Sequence, residues 1–200
     1  YEVRFVGALG LSNSRLFAVS TLDESRSPSG NTSMKTAATL GDDSVVNGVC
    51  EVRLSSWFHV EAKKDQRLLL RISAKSLDSR MSPVMLLRSG VGERLARTNA
   101  DGLIDFTAPV NGNYLIQVHD AVFRGGTELF FRLENSSGAH VDFVSPPIVP
   151  SFSESKITLF GRNLPGSKPA GFKAADGQAL EQLSVKISEL TQTGQPGGVV

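Results

Sequence analysis

Apolar side chains recur at every second position along most of the chain, and that spacing predicts strands rather than helices. Arg67-Leu68-Leu69-Leu70-Arg71-Ile72 sets Leu68, Leu70 and Ile72 on one face. Tyr114-Leu115-Ile116-Gln117-Val118-His119 does the same for Tyr114, Ile116 and Val118. Over residues 127–133, Leu129, Phe131 and Leu133 alternate with Glu128, Phe130 and Arg132. Successive Cβ atoms of a strand point to opposite sides, so each run predicts one dry face and one wetter face. The best helical stretch, 180–190, contains Leu183-Ser184-Val185-Lys186-Ile187 and reads better as another strand.

Turn signals separate these runs at short intervals. Lys64-Asp65 precedes the Arg67 strand, Ser89-Gly90 divides 84–87 from 93–97, and Arg124-Gly125-Gly126 precedes the 127–133 run. Asn111-Gly112 is a tight-turn dipeptide because both residues tolerate positive φ. Many short strands with no amphipathic helix between them predict an all-β, antiparallel sandwich. Two polar or proline-rich stretches predict boundaries: a linker over 23–31 and another over 138–150, where Ser145-Pro146-Pro147-Ile148-Val149-Pro150 removes ladder donors. The expected organisation is a preceding segment over 1–22, the main sandwich over 32–137 and a further β segment over 151–200. Tyr1-Glu2-Val3-Arg4-Phe5-Val6 already reads as a strand in progress. A piece cut from a longer protein is therefore expected, and the lack of a visible leader says nothing about location.

Composition narrows the function classes. The chain has 21 Lys and Arg against 20 Asp and Glu, so nothing demands a polyanion overall. Nine basic and four acidic residues fall between Glu61 and Ala100. That excess reads as a solvated sheet face, or else as a polyanion-binding patch, but without nucleic-acid motifs or interleaved aromatics. No run is long and apolar enough to insert in a membrane. The single cysteine, Cys50, sits in a strand-like run and is expected to be a small buried hydrophobe.

The motifs of the main block resemble the bacterial pre-peptidase C-terminal domain, a jelly-roll-like sandwich found beside secreted proteases and in large surface proteins. The resemblance runs through Pro28 to Asn31, then Met34, Ala37 and Leu40, then Val46-Asn47-Gly48 and the strand Phe58-His59-Val60. It continues in Ala62-Lys63-Lys64-Asp65-Gln66-Arg67-Leu68 and Ser82-Pro83-Val84-Met85-Leu86-Leu87. Leu103-Ile104-Asp105-Phe106-Thr107-Ala108-Pro109 with Gly112 and Tyr114, and Asp120-Ala121 with Phe123-Arg124-Gly125-Gly126, complete it. The flanks resemble partial immunoglobulin-like segments: residues 1–17 a closing hairpin, and Ile157-Thr158-Leu159-Phe160-Gly161-Arg162-Asn163-Leu164-Pro165-Gly166 an opening of the IPT/TIG kind. Some members of the family hold calcium, but here the two aspartate positions before the aromatic strand are Leu54 and Ser56. Glu24 and Asn31 remain from the opening segment, with Asp101, Asp105 and Asp120 as further weak metal candidates. Calcium takes six to eight oxygen ligands, so no strong calcium site is expected; calcium stays open but not favoured, and no other cofactor is expected. The three aspartates read first as caps on nearby backbone donors, ahead of a metal site or an acid/base pair.

No HExxH helix and no GxSxG elbow is present, and none of His59, His119 and His140 has a catalytic context. His59 and His119 are expected on the outward sides of their strands. Trp57 points away from Phe58 and Val60, as Phe130 does from Leu129 and Phe131. Either ring is a stacking surface for a ligand or a packing residue under a neighbouring element. The expected contact residues are Trp57, Phe123, Arg124 and Phe130. The function these features point to is non-catalytic: a binding or spacer module of a larger secreted or cell-surface protein, extracellular or periplasmic. Its partners would be other domains of that protein and an extracellular protein or polysaccharide, with no nucleic acid. The alternatives are an accessory region of a secreted peptidase or other hydrolase, and a carbohydrate-binding module acting through Trp57.

Overall fold

The computed structural model describes residues 1–98, 102–150 and 155–187. The chain divides into two compact units, 1–137 and 138–200. In chain order the first contains β1 (Glu2–Val3), β2 (Val6–Gly7), β3 (Gly10–Leu11), β4 (Arg15–Leu16), β5 (Asp23–Arg26), β6 (Ala38–Thr39), β7 (Ser44–Val49) and β8 (Ser56–Ala62). It continues with β9 (Arg67–Ser73), β10 (Pro83–Arg88), β11 (Arg94–Arg97), β12 (Leu103–Thr107), β13 (Gly112–Asp120) and β14 (Phe130–Ser136). The second unit contains β15 (His140–Ser145), β16 (Lys156–Arg162), β17 (Lys168–Lys173) and β18 (Ala179–Lys186). The periodicity is therefore realised as strands, including the 180–190 stretch, most of which lies in β18.

Two five-stranded sheets form the sandwich of the first unit, in the orders β11-β10-β13-β8-β6 and β12-β9-β14-β7-β5. Their inner faces supply the core: Phe58, Val60, Met85, Leu87, Ile116 and Val118 from one, and Val46, Leu68, Leu70, Ile72, Phe131 and Leu133 from the other. Phe58 and Phe131 meet edge to face across the layers, with ring centroids 6.3 Å apart. Near the end of the sandwich Tyr114 packs against Phe106 at 5.5 Å and donates its hydroxyl to the Val110 carbonyl. The turn residue Asp65 adopts a φ of 64°, and its N–H reaches the Ala108 carbonyl, tying the 64–66 turn to the end of β12.

Residues 23–31 differ from the expected linker. Asp23–Arg26 pairs in parallel with β7, from Asp23 opposite Ser44 to Arg26 opposite Asn47. All four residues are exposed, so this edge strand carries no apolar alternation to betray it. A second parallel edge strand, β6, joins the other sheet through Ala38 opposite Phe58. Within the N-terminal 22 residues, β1 pairs with β4 and β2 with β3. Asp78 accepts the Leu16 N–H at 2.9 Å, which ties this ribbon to the short 3-10 turn Lys75–Leu77.

The second unit is a four-stranded antiparallel sheet in the order β15-β16-β18-β17. Its first strand lies within the expected 138–150 linker: His140 to Ser145 pairs along β16. Arg162, 1% exposed, is the largest fully buried side chain among the described residues. It donates to Asp142 through Nε and Nη2 at 3.2 Å and to Asp176 through Nη1 at 2.6 Å. Burial opposes ionisation of Asp176, but the guanidinium and the Gln178 N–H outweigh it and hold the carboxyl below its usual range. Phe143, Phe160 and Phe172 cluster on one face of this sheet.

Candidate functional site

One concave feature of the first unit is a groove of about 680 Å³ on the outer face of the β12-β9-β14-β7-β5 sheet. Strand alternation builds it. Phe131 and Gly48 face the core, so their neighbours Phe130, Arg132, Asn47 and Val49 face outward and form the floor. Phe130 lies opposite Val49, and Arg132 lies opposite Asn47. Glu24 and Arg26 of β5 make one side, while Leu16 and Phe17 of the N-terminal segment, with Leu77, make another.

Arg132 gives the floor its polarity. Its side chain is 7% exposed and it donates Nη1 to Glu24 Oε1. Glu24 also accepts from Asn47 Nδ2 at 3.0 Å. The Arg132 contact is the main reason the Glu24 carboxyl is held below its ordinary range, against a smaller effect of burial. Asn31 at the rim is buried and occupied: its Nδ2 donates to Ser27 Oγ and the Trp57 carbonyl, and its own carbonyl accepts the Trp57 N–H at 2.7 Å.

The four expected contact residues are not gathered in one place. Phe130 lines the groove. Trp57 adjoins Phe58 on the opposite layer, so Trp57 and Phe130 lie on opposite outer faces of the sandwich. The Arg88 guanidinium stands 5.9 Å from the Trp57 ring centroid, so this tryptophan is not an open platform. Phe123 and Arg124 belong to the loop from β13 to β14. Phe123 takes a left-handed φ of 57° and stacks on His119 with centroids 4.3 Å apart. His119, expected on the outward side of its strand, does lie on the outer face, but the Phe123 ring closes over it and leaves it 9% exposed. His59 is half-buried, with its ring nitrogens within hydrogen-bonding distance of Thr39 Oγ1 and the Ala37 carbonyl.

The acidic candidates are also dispersed. Asp120 is fully buried at the end of β13 and accepts from the backbone N–H groups of Ser82, Val122 and Arg124 and from the Arg124 guanidinium at 2.9 and 3.0 Å. Arg124 above all, then these backbone donors, hold its carboxyl far below the usual carboxylate range. Asp105 receives a bidentate pair from Arg67, Nε at 2.8 Å and Nη2 at 2.7 Å. Asp101 lies outside the described residues. Among the described residues no three His, Cys, Asp or Glu side chains are grouped to hold a metal ion, and no helix is long and apolar enough to cross a membrane. Cys50 is buried, with its Sγ 3.6 Å from Met81 Sδ, and burial pushes the thiol up to about 11.

The groove itself was not foreseen. Its residues come from six separated stretches, and the Glu24–Arg132 pair spans 108 positions. The legible hint was one outward phenylalanine beside an outward arginine, Phe130 and Arg132.

The fold thus defines an all-β sandwich protein. No family model matches the chain, and no curated protein matches it. Among solved structures it is similar to the pre-peptidase C-terminal domain of a collagenase from Bacillus anthracis, at 13% identity and a TM-score of 0.41, covering 50% of this chain and 93% of that one. It is also similar to PliG of Aeromonas hydrophila, a periplasmic inhibitor of g-type lysozyme, at 17% identity and a TM-score of 0.36, covering 56% and 97%. Neither likeness is close enough to carry function across.

Proposed function

We propose that this chain is a non-catalytic binding and spacer region of a larger secreted or cell-surface protein, with the Phe130 groove as its contact surface. The observation that carries this reading is how the polar side chains are spent. Glu24, Asp105 and Asp120 each answer an arginine, and the space between the sheets is filled by side chains. The groove offers two aromatic rings, Phe17 and Phe130, around the Arg132–Glu24 pair. That combination suits a ligand with an apolar part and a few hydrogen-bonding groups. Membership of the pre-peptidase C-terminal family, immunoglobulin-like flanks and an extracellular or periplasmic location belong to the same proposal and rest on the motifs of the sequence.

The test uses the isotope-labelled full chain. It is titrated with a tryptic peptide mixture and separately with short neutral oligosaccharides, and hydrolysis of labelled casein and nitrophenyl esters is followed in parallel. Cross-peak shifts gathered at Phe17, Asn47 and Phe130, with hydrolysis at the buffer rate, are expected. Turnover above background that co-purifies with the chain, or shifts that avoid the groove, would overturn the reading.

A further inference from the structure

The far edge of the other sheet carries a second, separate surface. Among the described residues, β11 is the outermost strand of β11-β10-β13-β8-β6 and pairs only with β10. Its free side therefore directs the N–H and C=O groups of alternate residues outward. Two exposed arginines, Arg94 and Arg97, lie on this strand. Arg94 lies directly opposite Arg88 across the ladder, and Arg97 lies opposite Leu86. Like charges facing each other across a strand pair are destabilising. None of Arg88, Arg94 and Arg97 makes an ion pair with an acidic side chain among the described residues.

Arg88 is held in place by neutral groups. Its Nε donates to Gln117 Oε1 at 3.0 Å and its Nη1 to the Gly92 carbonyl at 2.9 Å, and it rests on the Trp57 ring. Gln117 is fixed in turn by Ser55 Oγ at 3.0 Å. The edge thus combines an unpaired ladder, two exposed arginines and one exposed aliphatic residue, Leu95, while the Arg88 guanidinium is turned over β13 and β8.

We propose that the β11 edge receives an acidic, extended polypeptide segment as a sixth strand, its carboxylates meeting Arg94 and Arg97. The charge fixes the sign of the partner. The ladder fixes its form, because a row of backbone donors and acceptors at strand spacing is matched by another extended backbone. The same arginines repel a second copy of β11 and so block edge-to-edge self-pairing. The surface shares no residue with the groove, so the two proposals stand or fall separately.

The test is fluorescence anisotropy with an octapeptide of alternating glutamate and valine, against the full chain. Three controls accompany it: lysine in place of glutamate, a version N-methylated at alternate residues, and a sulfated polysaccharide as competitor. The glutamate peptide is expected to bind, to weaken as salt rises, and to lose about tenfold or more in affinity with Arg94→Glu/Arg97→Glu. These positions are exposed, and an unchanged circular dichroism spectrum would verify the fold of the variant. N-methylation on the strand-pairing side should abolish binding. Equal binding of the methylated peptide, indifference to the charge reversal, no binding at all, or preferential capture of the polysaccharide would each overturn the proposal.

Discussion

Gly48 lies directly beneath the ring of Phe131, so close that a Cβ at position 48 would stand 2.4 Å from the ring. The two are paired residues of β7 and β14, and the ring needs this gap to reach Phe58 in the opposite layer. Gly48→Ala is expected to cost about 1–3 kcal/mol through overpacking. Phe131→Leu alone should also destabilise, yet the double variant should lose less than the sum of the two. Urea unfolding of the four proteins in this cycle measures the coupling, and strict additivity would contradict the contact.

Asp120 makes stability depend on acid. Its folded-state pKa is depressed, so its contribution is fully present above the unfolded value of about 4 and is lost as pH falls below it. Glu24 and Asp176 act with the same sign. Asp120→Asn should lower stability at neutral pH by roughly 1–3 kcal/mol, because a buried acceptor of several N–H groups loses its charge. It should also flatten the fall in melting temperature between about pH 5 and 2. Thermal scans across that range read both effects.

The Glu24–Arg132 pair is asymmetric, and its two truncations should differ. Glu24 is 39% exposed in its side chain and Arg132 only 7%. Glu24→Gln strands a poorly hydrated guanidinium and should cost about 2 kcal/mol, whereas Arg132→Met leaves a carboxylate that reaches water and should cost less than about 1 kcal/mol. Denaturant midpoints at constant m-value decide the order; the reverse order would show that Arg132 is the better solvated partner.

The Cys50 thiol should resist reagents. With its pKa pushed up to about 11 and its side chain buried, it carries almost no thiolate at pH 8. Ellman's reagent is expected to leave the native chain untouched and to react stoichiometrically in guanidinium. Rapid labelling under native conditions would mean that the β7 end of the core opens.

The strands were legible where one face is dry. Leu68, Leu70 and Ile72 share one face, as do Tyr114, Ile116 and Val118, and all six lie in the core, although Leu69 and Leu115 on the opposite faces are buried too. β5 was hidden because an edge strand with every residue exposed needs no apolar alternation, and Asp-Glu-Ser-Arg reads as a linker. β15 was hidden because the prolines that follow it drew the boundary too early. His119 was placed on the correct face, but no periodicity announces that a loop phenylalanine in a left-handed conformation folds back over it. Partners distant in the chain, Glu24 with Arg132 and Arg162 with Asp142 and Asp176, become neighbours only once the registers of separate ladders are set.

β5 and β6 come from one stretch of fewer than twenty residues, 23–39, yet each attaches in parallel to a different layer of the sandwich. The stretch works as a stitch passed through both halves of a seam. Prising the layers apart requires tearing it from one of them, so a single protease cut between these two strands would loosen both halves together.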